Sequence, residues 1–473
     1  MNKEKNNLPF DPNGNIFHWG PVPGKFFYCS AFTKVHYEYF RAKYNENWSE
    51  TLWLFQNNRM LWINDLDDLR AAGLKVFLKY LLPKETHENI YTEWQGCVQE
   101  LSQIEKRINN VDFSSLSNEE LKRLWHEFHD AYIKFWVAGS VPEVGNYGID
   151  KYFENKLKPF ILNETELPSA MEILTAPTRL SFYQEEEIAL SKATDMHKHQ
   201  QEYFWLKNSY AGTEILPVEF FLERKKELQS NIEDVMNEKI KQVAERKKDV
   251  QKKYNLSQEV MNIAYAISDG IGWQDERKKY IFIVLHYQDI LLKEVIRRFE
   301  YTLDDLHNAW YFEIEQIIDG KDLKNLLAKR KEGFGVRFFH ECEELSPEQT
   351  DYFWKLYDTK VEQDISEVKG IVASKGKGGI VRGRIHILLD PSKADTFKDG
   401  EILVAPMTSP EYVFVMKKSC AVITDTGGLT SHAAIVSREL NIPCIVGTKN
   451  ASKVFRDGDV VEVNGNTGIV RKI

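Results

Sequence analysis

Hydrophobic spacing divides this chain into two textures. Over most of its length apolar residues recur every three to four positions, which predicts helices. Ser117-Asn118-Glu119-Glu120 has the form of a capping box, and Leu121, Leu124, Trp125, Phe128, Tyr132, Phe135 and Trp136 follow it as a single helical stripe. That stripe reads as core packing. Asn231 to Tyr254 mixes Lys and Glu densely and reads as a long, partly exposed helix. Met261 to Phe299 continues helical, with a break expected near Asp269-Gly270, and Leu303 to Arg330 reads as another helix pair. Phe10 to Phe32, rich in Gly, Pro and aromatics, reads as an irregular arm. Near Glu362 the pattern changes to short Val/Ile-rich strands separated by Gly, Pro and Asp turns. Val361 to Val368 is short and polar, and about ten such residues span roughly 30 Å when extended. The expected fold class is therefore multidomain α plus α/β. A large, mostly helical domain over 1–363 is followed by a small β/β/α domain over 364–473.

Composition narrows the possibilities. A chain of 473 residues is too long for one core. A net charge of −9 argues against a nucleic-acid-binding surface. No stretch approaches 18 consecutive apolar residues, and no apolar core follows the polar start, so a soluble cytoplasmic protein without a membrane partner is expected. The five cysteines are odd in number, scattered and without paired spacing, which reads as reduced core thiols, Cys444 in a buried strand among them. There is no zinc-ligand spacing, no metal site is expected, and no dinucleotide-binding glycine fingerprint occurs.

The densest chemistry lies between Thr424 and Leu440. Ala421, Val422 and Ile423 read as a buried strand, Asp425 to Gly428 as a tight turn, and Leu429 to Leu440 as a helix. Gly427 and Gly428 permit positive φ and close approach by another molecule. Thr430 or Ser431 is a good N-cap, which puts His432 in the first helical turn. Unpaired N–H groups and the helix dipole there favour an anion, so an imidazole in that place is suited to carrying a phosphoryl group.

Gly-Gly-x-Thr-x-His followed by small residues and Arg438 resembles the phosphohistidine signature of the phosphoenolpyruvate-utilising enzymes. That group includes phosphoenolpyruvate synthase, pyruvate phosphate dikinase, rifampicin phosphotransferase and phenylphosphate synthase. The resemblance extends in order over Gly370-Ile371-Val372-Ala373-Ser374, Gly379 to Arg384, Asp399 to Val404, Thr408-Ser409-Pro410-Glu411, Asn441 to Thr448, Asp457-Gly458 and Gly465. It implies that His432 is phosphorylated, that Thr430, Ser431 and Arg438 help hold the phosphoryl group, and that the small domain swivels between two stations.

A looser resemblance links His197 to Tyr210 and Trp273 to Tyr280 with the helical acceptor region of rifampicin phosphotransferase-like proteins. On that basis Trp273, Asp275, Arg277, Lys278 and His199 are candidate substrate-binding residues. Arg277 and Lys278 would neutralise a phosphoryl group or anionic substrate, Asp275 would orient Arg277 or act as a base, and His199 would deprotonate an acceptor hydroxyl. A solvated helix face and a packed histidine are the simpler readings of the same residues. The first 360 residues show neither a Gly-rich phosphate loop nor a strand-rich nucleotide fold, and the chain ends after the swivelling segment, where relatives continue into a TIM barrel. The expectation is a split enzyme. This chain would bind no cofactor alone, and ATP and Mg²⁺ would enter through a separate ATP-grasp partner. A small-molecule acceptor would receive the phosphoryl group. A ligase-type condensing enzyme and a non-catalytic phosphocarrier are the alternatives.

Overall fold

A computed structural model describes residues 8–12, 14–163, 166–229, 231–339, 341–358, 366–408, 412–428 and 431–473. Among them, thirteen strands form two sheets. The expected domain boundary at 363/364 and most of the polar linker lie outside the described residues.

The first part is a helical body with a sheet of its own. Strands β1 (Ile16–Pro23), β2 (Thr51–Gln56), β3 (Arg59–Asp65), β4 (Phe334–Phe338) and β5 (Cys342–Leu345) pair antiparallel in the order β1-β3-β2-β4-β5. The aromatic arm expected over Phe10–Phe32 is thus ordered, as β1 followed by the helix Phe26–Lys34. Asn57 and Asn58, at φ 54° and 56°, make the two-residue turn joining β2 to β3, the left-handed pair that a tight hairpin requires. Periodicity concealed this sheet because β2 is buried at five of its six positions, so no alternation marks it.

Two other expectations are corrected. The helix Gln258–Phe299 runs unbroken through Asp269-Gly270, started by the Ser257 side chain accepting from the Val260 N–H. Glycine here makes room rather than ending the helix: a Cβ at Gly272 would come within 2.0 Å of Arg179 Nε. In place of a helix pair over Leu303–Arg330 there are three short helices, Leu303–Leu306, Glu313–Ile318 and Lys324–Glu332. The capping box at Ser117 forms as expected and opens the helix Asn118–Gly139.

The second part is built on strands β6 (Glu367–Lys369), β7 (Ile371–Lys375), β8 (Ile380–Ile387), β9 (Ile402–Ala405), β10 (Ala421–Thr424), β11 (Pro443–Val446), β12 (Val460–Asn464) and β13 (Ile469–Lys472), in the order β6-β13-β12-β8-β9-β10-β11-β7. Its centre, β8-β9-β10-β11, is parallel. Ile385, Ile402, Val404, Ile423, Val461 and Val463 form a core of its own on one side. The other side meets the helical body across an apolar seam. There Phe414 contacts Tyr183 and Phe220 edge-on, at 6.0 and 5.9 Å between ring centres. Lys417 pairs with Glu187 and Lys453 with Asp358, both pairs crossing the same junction.

Candidate phosphohistidine site

Loops that leave the carboxyl ends of parallel strands converge on a crevice, the usual ligand position in such sheets. Three of them meet here, after β9, β10 and β11. Buried β10 (Ala-Val-Ile-Thr) ends at Asp425, whose carboxylate accepts the Ser452 N–H at 2.9 Å and so ties the turn to the following loop. Burial pushes the Asp425 carboxyl up from its ordinary pKa. Gly427 holds φ 113°, and a Cβ on Gly428 would reach within 2.5 Å of Asp150 Oδ2 in the helical body. The turn therefore lies flush against the other domain.

Ser431 is the N-cap of the helix His432–Leu440, its hydroxyl accepting from the Ala434 N–H at 3.4 Å. His432 is the first helical residue, where the dipole favours an added negative charge. Its Nδ1 is 2.9 Å from the hydroxyl of Thr408, in the loop after β9. With Nδ1–H donating to Thr408 Oγ1, the lone pair stays on Nε2. Burial, reinforced by the Lys278 ammonium, lowers the His432 pKa well below its ordinary value. A neutral imidazole with a free lone pair is a nucleophile.

His432 is not on an open surface. It lines a cavity of about 670 Å³ between the two parts of the molecule. Aromatic walls come from β1, β2 and β3 (Phe17, Trp19, Trp53, Trp62) and from Trp136 and Tyr210. Arg70, Arg277, Lys278 and Lys449 bring positive charge to it. A second recess of about 150 Å³, also lined by His432 and Lys278, contains Asp275, Lys417 and Glu439. Burial and nearby acids push the Glu439 carboxyl up to about 8.

The expected site residues are placed as follows. Ser431, Arg277 and Lys278 line the large cavity with His432, and Asp275 lines the smaller recess, where it accepts the Phe182 N–H at 3.0 Å. Arg277 is no solvated helix face: it is 3% exposed, donates to Gly139 O at 2.6 Å, pairs with Glu143 and stacks on Trp136 at 4.7 Å. Trp273 is fully buried among His87, Tyr91 and Trp94, away from both cavities. His199 is also apart, its Nε2 3.0 Å from Glu186 and its ring stacked on Tyr203. Arg438 points along β7, with Nε donating to Ala373 O at 2.8 Å, and lines neither cavity. Thr430 lies outside the described residues. Thr408 carried no assigned role in the sequence, although it opens a motif that matched the family.

Residues 397–468 match the profile described as PEP-utilising enzyme, mobile domain. That segment is similar to the mobile domain of PEP-utilising enzymes. Phosphoenolpyruvate synthase of Pyrococcus furiosus is 40% identical over 166 residues, covering 35% of this chain and 18% of that protein. The probable phosphoenolpyruvate synthase of Pyrococcus abyssi is 50% identical over 113 residues, 24% of this chain and 13% of that protein. The uncharacterized phosphotransferase YvkC of Bacillus subtilis is 30% identical over 180 residues, 35% of this chain and 21% of that protein. The chain thus spans a fifth or so, at most, of these relatives' lengths. His432 and Thr408 both lie inside the matched mobile domain. Among the described residues no helix is long and apolar enough to cross a membrane, and no group of three or more His, Cys, Asp or Glu side chains is placed to hold a metal ion.

Proposed function

We propose that this protein is a phosphotransferase that carries a phosphoryl group on Nε2 of His432 and passes it to a small molecule held in the aromatic-walled cavity. The observation that carries the reading is the placement of His432. Its ring is neutral, engaged at Nδ1 by Thr408, and opens on a cavity large enough for a small organic acceptor. A cavity of that size beside the imidazole supports a transferase over a bare phosphocarrier.

In the charging step Nε2 attacks phosphorus and the donor's bridging bond breaks. In delivery an acceptor oxygen attacks the same phosphorus, and the P–N bond returns its electron pair to Nε2. Little covalent chemistry remains for the protein beyond positioning and neutralising charge. Lys278 and Arg277 supply cations on the acceptor side, Ser431 and the helix start on the carrier side. Charging is assigned to a separate ATP-grasp protein that binds ATP and Mg²⁺, a reading supported by the family resemblance. Its domain would occupy the first station of the swivelling segment, and the docked arrangement described above would be the second.

The test is labelling of the full chain with ATP, with and without a candidate ATP-grasp protein, followed by mapping of the label. The expected result is partner-dependent, acid-labile and alkali-stable label on His432, lost in His432→Ala. Stoichiometric labelling from ATP without any partner would overturn the split-enzyme reading, and label on another residue would overturn the carrier assignment.

A further inference from the structure

Charges around the large cavity do not cancel. Among the described residues its acids are all engaged: Glu143 pairs with Arg277, Asp425 accepts the Ser452 N–H at 2.9 Å, and Asp150 is held by an interaction of its own. Two of its cations are not. Arg70, on the helix Leu66–Val76, and Lys449, in the loop after β11, line the cavity with part of their surface open. Neither makes a hydrogen bond or ion pair through its side chain among the described residues. Arg70 belongs to the helical body and Lys449 to the part that carries His432. Lys449 holds a left-handed backbone, φ 72°, fixed by its N–H donating to Asp425 O at 2.8 Å. Glycine takes that conformation at less cost, so what the loop gains from lysine is the ammonium.

The walls set a second requirement. Phe17, Trp19, Tyr147 and Tyr210 line the cavity and are only half-buried, so their rings are open to a ligand. Neighbours hold those rings in place. Phe17 meets Trp62 and Tyr147 edge-on at 5.2 and 5.5 Å between centres, Trp19 meets Trp53 at 6.1 Å, and Tyr210 packs on Phe32 at 5.2 Å. Trp53 and Trp62 back them as a stacked pair, 5.1 Å apart. Ring faces and edges fixed in advance favour another ring, which stacks without ordering the wall first. Arg70 adjoins the same wall: a Cβ on Gly148, the neighbour of Tyr147, would lie 2.7 Å from Arg70 Cβ. A volume of about 670 Å³ is in the range that encloses a ligand of many atoms, far more than a three-carbon acid fills.

We infer that the acceptor is a flat aromatic compound carrying a fixed negative charge, its ring against the Phe17, Trp19 and Tyr147 wall and its charge answered by Arg70 and Lys449. That this ligand receives the phosphoryl group rests on the phosphohistidine reading above; that it binds does not. A neutral ring compound would cover two unpaired cations with apolar surface, which costs their hydration and returns nothing. An anion without a ring would leave the aromatic wall facing water. Only a molecule with both features satisfies both sets of residues. In delivery the accepting oxygen is a separate group on the same molecule, a hydroxyl in the probe below. It bonds to phosphorus, the P–N bond returns its electron pair to Nε2 of His432, and the hydroxyl proton passes to water.

The test is calorimetric titration of the full chain with three probes. 6-Hydroxy-2-naphthoate has the ring system and the charge, 2-naphthol the ring system alone, and 4-hydroxycyclohexanecarboxylate the charge alone. The expected result is that the first binds about tenfold more tightly, or better, than either of the others. Arg70→Gln and Lys449→Gln should each weaken it about tenfold, yet bind 2-naphthol as the wild type does, which shows that both variants fold. Lys449→Gly, suited to the left-handed backbone, should give the same loss without strain. Equal affinity for 2-naphthol overturns the anionic requirement, and equal affinity for the cyclohexane acid overturns the aromatic one. Wild-type affinity for the hydroxynaphthoate in the Arg70 and Lys449 variants overturns the roles given to these cations. The chain is then charged with potassium phosphoramidate and the label mapped. Charged on His432, it should pass label to the hydroxyl of 6-hydroxy-2-naphthoate; tight binding with no label transferred overturns the acceptor assignment. Label at a residue other than His432 overturns the carrier reading and leaves the binding result standing.

Discussion

Thr408→Val removes one hydroxyl and little volume, and it tests whether the 2.9 Å contact with His432 Nδ1 sets up the nucleophile. Thr408 is 4% exposed, so water does not replace the lost partner. Before charging, the contact joins a hydroxyl and a neutral ring, and such a bond is worth about 1 kcal/mol. Once Nε2 bonds to phosphorus, positive charge spreads to Nδ1–H, and a hydrogen bond from a charged donor is worth about 1.5–3 kcal/mol. The difference, about 0.5–2 kcal/mol, is what Thr408 contributes to the charged state, and at 1.4 kcal/mol per tenfold it predicts charging about 2- to 30-fold slower. Stability should fall by only about 1 kcal/mol. The assay is rapid-quench measurement of acid-labile label on wild type, Thr408→Val and Thr408→Ser, with denaturant unfolding in parallel. Serine keeps the hydroxyl and should restore most of the rate. Wild-type charging by the valine variant would show that the Nδ1 contact has no part in preparing the ring.

Arg277→Ala leaves the half-buried Glu143 carboxylate without its partner, and should cost about 1–3 kcal/mol in urea unfolding; an unchanged unfolding midpoint would mean that the pair adds nothing to stability. Burial holds His18, His36 and His286 at about 4 and His129 at about 3. The unfolded chain therefore takes up these protons first, and stability should rise with pH from about 4 to 6.5; a flat urea midpoint across that window would refute the lowered values. Lys417→Glu sets a second acid against Glu187 at the domain seam, and should raise the radius of gyration in X-ray scattering as the small domain undocks; an unchanged scattering curve would show that the apolar seam alone holds it.

Sequence and structure agree best where local chemistry dictates form. The strand, glycine turn and capped helix around His432 were legible because each uses its own local signal: a buried apolar run, positive φ, and a serine N-cap. The capped, aromatic-striped helix Asn118–Gly139 was legible for the same reason. What escaped notice depends on residues distant in sequence. Strand β4 pairs with β2 from the opposite end of the helical body, and the apolar runs of β2 and β3 fit a buried helix equally well. The cavity wall they build was therefore invisible. Arg277 looked like part of a charged surface because Asp275, Glu276, Lys278 and Lys279 flank it, and only helix rotation against Gly139 and Trp136 buries it.

The pairing of Leu52 with Arg337 across β2 and β4 also governs the order in which the molecule can be made. During synthesis the β2–β3 hairpin emerges early, with Trp53 and Trp62 already stacked face to face, but one edge of β2 stays bare until β4 leaves the ribosome. An unpaired apolar edge is a site for misassembly, and contacts so far apart in sequence form slowly. A nascent chain cut short before Phe334 would keep that edge, and would be a natural client for chaperones. Once β4 is in place, the strands that wall the cavity, β2 and β3, are paired on both sides before a single residue of the His432 helix has been translated. One wall of the cavity is thus laid first, and the C-terminal part closes the rest of it when it folds against the finished helical body.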